Sequence, residues 1–114
     1  MAAKSLTRFR PILVLTTAGS LSEAKKISRL ILHRRLAACV NILSGVESHY
    51  WWKGIVENGK EFLLLIKSSQ SRWSALSKLV KKHHSYDVPE LISFSMMSSD
   101  RRYLRWMQES MGKS

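Results

Sequence analysis

Residues 35–67 read RLAACVNILSGVESHYWWKGIVENGKEFLLLIK, and they predict a long bent β-ribbon against which the rest of the chain is fitted. Over residues 37–43, Ala38, Val40 and Ile42 alternate with Cys39, Asn41 and Leu43, the period of a strand. Ser44-Gly45 bends or breaks the run. Alternation resumes over residues 46–52, with Val46, Tyr50 and Trp52 on one face and Glu47, His49 and Trp51 on the other. Lys53-Gly54 offers a turn. The return arm is predicted over residues 61–67, where the unbroken run from Phe62 to Ile66 suits a strand buried on both faces. Tyr50, Trp51 and Trp52 are too much aromatic surface to leave in water on a protruding hairpin. A partner should cover them, and a second copy of the chain is the simplest one.

Outward from the ribbon, residues 12–17 form an apolar, β-branched run that predicts the first strand, ended by Ala18-Gly19. Ser20-x-x-Glu23 has capping-box spacing and opens a helix whose buried stripe is Ala24, Ile27 and Ile31. After the ribbon, residues 68–71 are a polar connector with N-cap candidates. Trp73, Leu76, Val80 and His83 recur at helical spacing, so the second helix ends its apolar stripe on a histidine. Residues 88–97 predict the fourth strand, entered at Pro89 on an edge. Asp100 caps a last helix with Leu104, Met107 and Met111 inward. The order predicts an α+β fold, a ferredoxin-like βαββαβ sandwich with a long bent ribbon between its second and third strands and an extra C-terminal helix. Residues 1–10 read as a flexible N-terminal tail and residues 11–114 as a single domain.

Composition narrows the function. The one cysteine, Cys39, excludes an intramolecular disulfide framework and a Cys-rich zinc site. No apolar run reaches the length of a bilayer span. The start, MAAKSLTRFRP, is basic and free of acids as transit sequences are, yet it is short and lacks an apolar core. The expected location is cytoplasmic. A formal net charge of +11 raises nucleic acid as a partner, but the cations fall in small groups on the polar faces of the predicted helices, as on a solvated surface, so no nucleic acid is expected. No nucleophile elbow, phosphate loop or Cys-centred signature accompanies the Ser, Thr and Cys residues, and Thr17-Ala18-Gly19-Ser20 lacks the arginine an acylphosphatase loop needs. The reading is a non-enzyme.

Several segments together resemble one family. Leu15-Thr16-Thr17, Arg35-Leu36-Ala37-Ala38-Cys39-Val40-Asn41, Tyr50-x-Trp52-x-Gly54, Leu64-x-Ile66-Lys67, His84-x-Tyr86-x-Val88-Pro89-Glu90 and Tyr103-Leu104-x-Trp106 stand in the order and approximate spacing of CutA, the divalent-cation tolerance proteins. The resemblance covers about residues 12–111. It implies a ferredoxin-like subunit and a homotrimer built through the long ribbons, with Tyr50, Trp51 and Trp52 in the interface. It also implies a link to copper and other divalent metals through positions that here are Thr16, His83 and Glu90. Thr16 stands where bacterial members carry cysteine, so the softest ligand is lost. Ser85 and Ser44 replace usual prolines. Vertebrate relatives imply a different role, a scaffold that anchors or matures a membrane enzyme and needs no metal.

The residues themselves offer a second line. His83, His84, Tyr86 and Glu90 fall within eight residues, and imidazole with carboxylate suits Cu(II) or another divalent metal. Glu90, on a regular strand, shares a face with Ile92, Phe94 and Met96 and needs a cation there. Lys67 is its candidate partner, and Lys67, His84 and Tyr86 are expected to line a small cleft at a subunit junction. The bland readings are a satisfied core histidine and a structural ion pair. An RNA-binding module is the remaining alternative, disfavoured because the central strands carry Leu, Ile and Val where such modules carry aromatics.

Overall fold

The computed structural model describes residues 9–112. Residues 1–8 of the expected tail and residues 113–114 at the other end lie outside the described residues. The elements are β1 (Pro11–Ala18), α1 (Leu21–His33), β2 (Cys39–Trp52), β3 (Ile55–Ser69), a 3-10 turn (Gln70–Arg72), α2 (Trp73–His83), β4 (Ile92–Ser95) and α3 (Arg101–Met111). One sheet runs in the order β2-β3-β1-β4 with every neighbouring pair antiparallel. That is the predicted ferredoxin-like arrangement.

Parity along β1 explains the layers. Ile12, Val14, Thr16 and Ala18 are buried, and all but Thr16 join one apolar core with Ala24, Ile27 and Ile31 of α1 and Leu76, Leu79 and Val80 of α2. Both helices therefore cover the same face of the sheet. The other face carries Leu13 and Leu15 of β1, opposite Phe94 and Ile92 of β4 and Lys67 and Leu65 of β3. Leu13, Leu15, Leu63 and Leu65 are half-buried on this side, and Ile92 and Phe94 are 46% and 50% exposed. The run from Phe62 to Ile66 is thus not buried on both faces as predicted. Leu64 and Ile66 are fully buried under the helices, while Leu63 and Leu65 face the open side. Five successive apolar residues meet two different environments because the side chains of a strand alternate.

The ribbon is longer than predicted, since β3 begins at Ile55 and not at residue 61. β1 ends at Ala18 opposite Phe62, so the pairs from Val46↔Glu61 to Trp52↔Ile55 form a two-stranded arm beyond the sheet. The arm is about 23 Å long for its seven pairs. It raises the radius of gyration to 15.2 Å, against about 13 Å for a compact chain of this length. Lys53 and Gly54 both have positive φ, 52° and 80°, the two-residue type I′ turn that matches strand twist. At the bend, Leu43 pairs with Leu63 and Val46 with Glu61, so Ser44 and Gly45 together oppose Phe62. This is a β-bulge, with Gly45 at φ 77°.

Other boundaries shift for local reasons. The connector at 68–71 is the end of β3 followed by the 3-10 turn, and α2 has no side-chain N-cap bond. β4 spans four residues where ten were predicted, because Pro89 cannot donate to a ladder and the preceding loop is held elsewhere. α3 is capped by Asp100, which accepts from the Tyr103 N–H at 3.0 Å. Its other end is held by two arginines: Arg35 donates to the Ser110 carbonyl at 2.7 Å, and Arg72 donates to the Met111 carbonyl at 3.1 Å and the Arg35 carbonyl at 2.5 Å. Guanidinium at helix C-terminal carbonyls satisfies orphan acceptors and the dipole together. Arg72→Ala is expected to lower stability by about 1–2 kcal/mol and to raise amide exchange selectively over Arg101–Met111. Urea unfolding with residue-resolved hydrogen exchange checks both, and uniform exchange across all helices refutes the clamp.

Candidate functional site

The expected cluster at the end of α2 splits into three unlike environments. His83 closes the buried stripe of α2, and its Nε2 is buried with no hydrogen-bond partner. Burial, then the nearby charges of Lys26, Lys82 and Arg34, hold its pKa below the ordinary 6.5. The imidazole is neutral at physiological pH, the form in which a ring nitrogen can ligate a metal. Thr16 is also fully buried on the helix-facing side of β1, with its Oγ1 unpartnered.

His84, one residue on, is saturated. Its Nε2 lies 2.7 Å from the Thr17 carbonyl, which can only accept, and its Nδ1 accepts from the Tyr86 N–H at 3.1 Å. Those two partners fix the neutral tautomer with the proton on Nε2. Ser85 donates through its N–H and its hydroxyl to the two carboxylate oxygens of Glu23, at 2.9 and 3.1 Å. The Tyr86 hydroxyl donates to Glu61 at 2.9 Å, and the ring lies against His84 with centroids 4.7 Å apart. A Cβ on Gly19 would sit 3.1 Å from the Tyr86 hydroxyl oxygen, so the phenol lies close across the end of β1 and would have to give by a few tenths of an ångström to admit a side chain there. Partial burial and the Glu61 carboxylate push the Tyr86 phenol up to about 12. The loop after α2 is therefore latched to the start of α1, the end of β1 and the base of the ribbon.

Glu90 and Lys67 make no hydrogen bond or ion pair with His83, His84, Ser85 or Tyr86. Glu90 is exposed in the loop before β4, and no ion pair to it is present among the described residues. The expectation that it shares a strand face with Ile92, Phe94 and Met96 fails because β4 begins only at Ile92. Lys67 donates to the Asn41 side chain. It pairs with Leu13, five positions along β3 from the Phe62↔Ala18 pair, roughly 17 Å away. Tyr50, Trp51 and Trp52 lie on the outer arm, 46%, 74% and 47% exposed.

Sequence reasoning missed Glu23 and Glu61 as partners of this loop. The Ser20-x-x-Glu23 spacing was a real signal, and the Ser20 side chain does accept from the Glu23 N–H at 3.2 Å. The Glu23 carboxylate, however, reaches Ser85 and not the cap. Among the described residues no three His, Cys, Asp or Glu side chains come together as a metal group. Of the family's implied set, His83 offers one ready ligand nitrogen, Thr16 is a neutral hydroxyl, and Glu90 is an exposed carboxylate with no partner among the described residues, so the set is not assembled as a three-ligand group within one chain.

The model of the CutA1 divalent ion tolerance protein family matches residues 12–110. The chain belongs to the CutA1 family. It is 39% identical over 99 residues to the divalent-cation tolerance protein CutA of Thermus thermophilus, covering 87% of this chain and 96% of that one. It is 41% identical over 103 residues to Protein CutA 1, chloroplastic, of Oryza sativa, covering 90% of this chain and 58% of the relative. The chain thus spans little more than half the length of that plant relative. Two solved structures superpose closely: the Thermus protein with a TM-score of 0.87 at 38% identity, over 90% of this chain and 99% of that one, and CutA1 from Oryza sativa with 0.88 at 40%, over 92% and 96%. The CutA family name describes tolerance to ions and not a reaction. No helix among the described residues is long and apolar enough to cross a membrane.

Two pH effects follow from the latched loop and the buried ring. A histidine whose folded pKa is lowered contributes stability that is complete above about 6.5 and is lost as pH falls below it. Urea midpoints should therefore decline on acidification from that point, and His83→Leu should flatten this decline; an unchanged slope contradicts a buried neutral ring. A tyrosine whose folded pKa is raised contributes stability that is complete below about 10 and is lost as pH rises through about 12. Tyr86→Phe should cost about 1 kcal/mol at neutral pH and remove the latest phenolate from an ultraviolet titration; a titration with no late phenol refutes the Glu61 bond.

Proposed function

We propose that this chain acts as a homotrimeric member of the divalent-cation tolerance family, assembled through the open face of its sheet and its ribbon. The carrying observation is the continuity of that face. Beyond the bulge, residues directly opposite one another share a face, so Val46, Tyr50, Trp52 and Ile55, with the carboxylates Glu57 and Glu61 among them, extend the surface of Leu43, Leu63, Leu65, Ile92 and Phe94. An apolar surface that begins on a sheet and continues along a protruding arm needs another subunit, and an arm of two strands is marginal on its own. The number three comes from the family resemblance.

The link to cations rests on His83. A neutral imidazole with an unpartnered nitrogen offers one ligand to Cu(II) or another divalent ion. The remaining ligands then come from water or from a neighbouring copy, and a cleft joining Lys67 with His84 and Tyr86 likewise requires a second subunit. The alternative, a trimeric scaffold that recruits a protein and needs no metal, has its own support. Lys26, Lys82 and Arg34 place positive charge around His83, which disfavours a dication, and His84, Ser85 and Tyr86 already spend their polar atoms on Thr17, Glu23 and Glu61. A cytoplasmic location stands as the proposal beside the chloroplastic names of the plant relatives.

Light scattering should give three times the 13.1 kDa chain mass, and Phe94→Glu combined with Trp52→Glu should shift the protein towards monomer. A wild-type monomer at micromolar concentration sinks the assembly. Calorimetric titration with copper and with zinc should give about one ion per chain, lost in His83→Ala while the trimer mass is kept. A trimer that takes up neither ion leaves the scaffold as the function.

A further inference from the structure

The sequence scatters its cations, but the fold gathers one set of them. α1 and α2 cover the same face of the sheet, so their outer surfaces form one layer. α1 and its cap contribute Lys25, Lys26, Arg29 and Arg34, all exposed, and α2 contributes Lys78, Lys81 and Lys82, all exposed. Against these seven cations the two helices hold one acid, Glu23, and its two carboxylate oxygens are taken by Ser85. Among the described residues the ion pair present is His49–Glu47, out on the ribbon. The layer's cations are uncompensated. Lys25 and Arg29, and Lys78 and Lys82, are four residues apart, where like charges on a helix repel. The field reaches inward as well, since Lys26, Lys82 and Arg34 all act to keep His83 uncharged.

We infer that the outer surface of the α1–α2 layer is a docking surface for the phosphate backbone of duplex nucleic acid, bound without regard to sequence. Charge complementarity selects a polyanion. The layer's side chains select the duplex backbone over unpaired bases, because α1 has no Phe, Tyr or Trp and the one such residue of α2, Trp73, is half-buried at its start. There is no platform on which unpaired bases can stack. They also select it over a lipid surface. The apolar stripes of both helices are spent on the core, and only Leu21 and Leu32, at opposite ends of α1, are exposed for insertion. The layer lies on the side of the sheet away from the proposed subunit contact, so assembly leaves it open and repeats it once per copy.

The test is fluorescence anisotropy of a labelled random-sequence DNA duplex with the full-length protein, over about 50 to 200 mM salt. With five to seven phosphates neutralised, the logarithm of the binding constant should fall against the logarithm of salt with a slope of about −4.5 to −6.3. Lys78→Glu/Lys81→Glu/Lys82→Glu should weaken binding at least ~10-fold more than Arg101→Glu/Arg102→Glu/Arg105→Glu, which makes the same change in net charge elsewhere. Equal losses in the two triples overturn the proposal, because net charge alone then explains binding. So does a wild-type slope shallower than about −2, a measurement that does not depend on any variant folding. Binding to phosphatidylserine vesicles with none to the duplex overturns it in favour of a membrane surface.

Discussion

One extra residue in β2 sets the architecture of the exposed surface. Ser44 and Gly45 together oppose Phe62, so the residues of β2 that face the open side are odd-numbered before the bulge and even-numbered after it. Cys39, Asn41 and Leu43 are followed on that side by Val46, Tyr50 and Trp52. Regular pairing would have turned the aromatic residues to the helix side, beside Val40 and Ile42, which pack on the core. The bulge thus reconciles two demands: Phe62 stays against the core, and the arm presents Tyr50 and Trp52 in register with Leu63 and Leu65. Gly45 meets the backbone requirement at φ 77°, where a residue with a side chain would be strained.

The same sheet separates two surfaces of opposite character. Its open face and ribbon are apolar and suited to a subunit partner, while the helices on its other face turn cations outward. Between them, at one end, the loop after α2 is tied down by a carboxylate from each side: Glu23 from the helix layer and Glu61 from the base of the ribbon. This arrangement consumes the polar groups of His84, Ser85 and Tyr86 and leaves His83 as the residue of the group with an unused buried nitrogen. Within this segment the His83 imidazole keeps an unpartnered nitrogen, while the polar groups of the three residues after it are held by Thr17, Glu23 and Glu61.

Much of the fold was legible because it is written at short range. The Ser20 and Asp100 caps, the stripes Ala24–Ile27–Ile31 and Met107–Met111, the turn at Lys53-Gly54 and the alternation of the ribbon all depend on residues a few positions apart. The histidine at the end of the α2 stripe was legible for the same reason. Misreadings arose where a residue's partner lies far along the chain. Glu23 was assigned to its own helix cap, yet its carboxylate bonds to Ser85, 62 residues away. Glu90 was placed on a strand face that forms only two residues later, because the loop before it is held at Thr17, Glu23 and Glu61. Lys67 reads as the partner of a carboxylate from another strand, whereas its side chain donates to Asn41 of β2.

By itself, the sequence determined the kind and order of the elements and the family to which the chain belongs, since periodicity, capping and motif order are properties of the linear chain. Tertiary structure decided which face each strand residue meets, because parity is reset at a bulge whose opposing residue, Phe62, is read only from the register. It decided that His84 is saturated and His83 is not, through the Thr17 carbonyl 67 residues away. It also decided that cations separated by some fifty residues share one surface, because two helices that each bury one stripe against the same side of a sheet must turn their remaining faces to the same solvent.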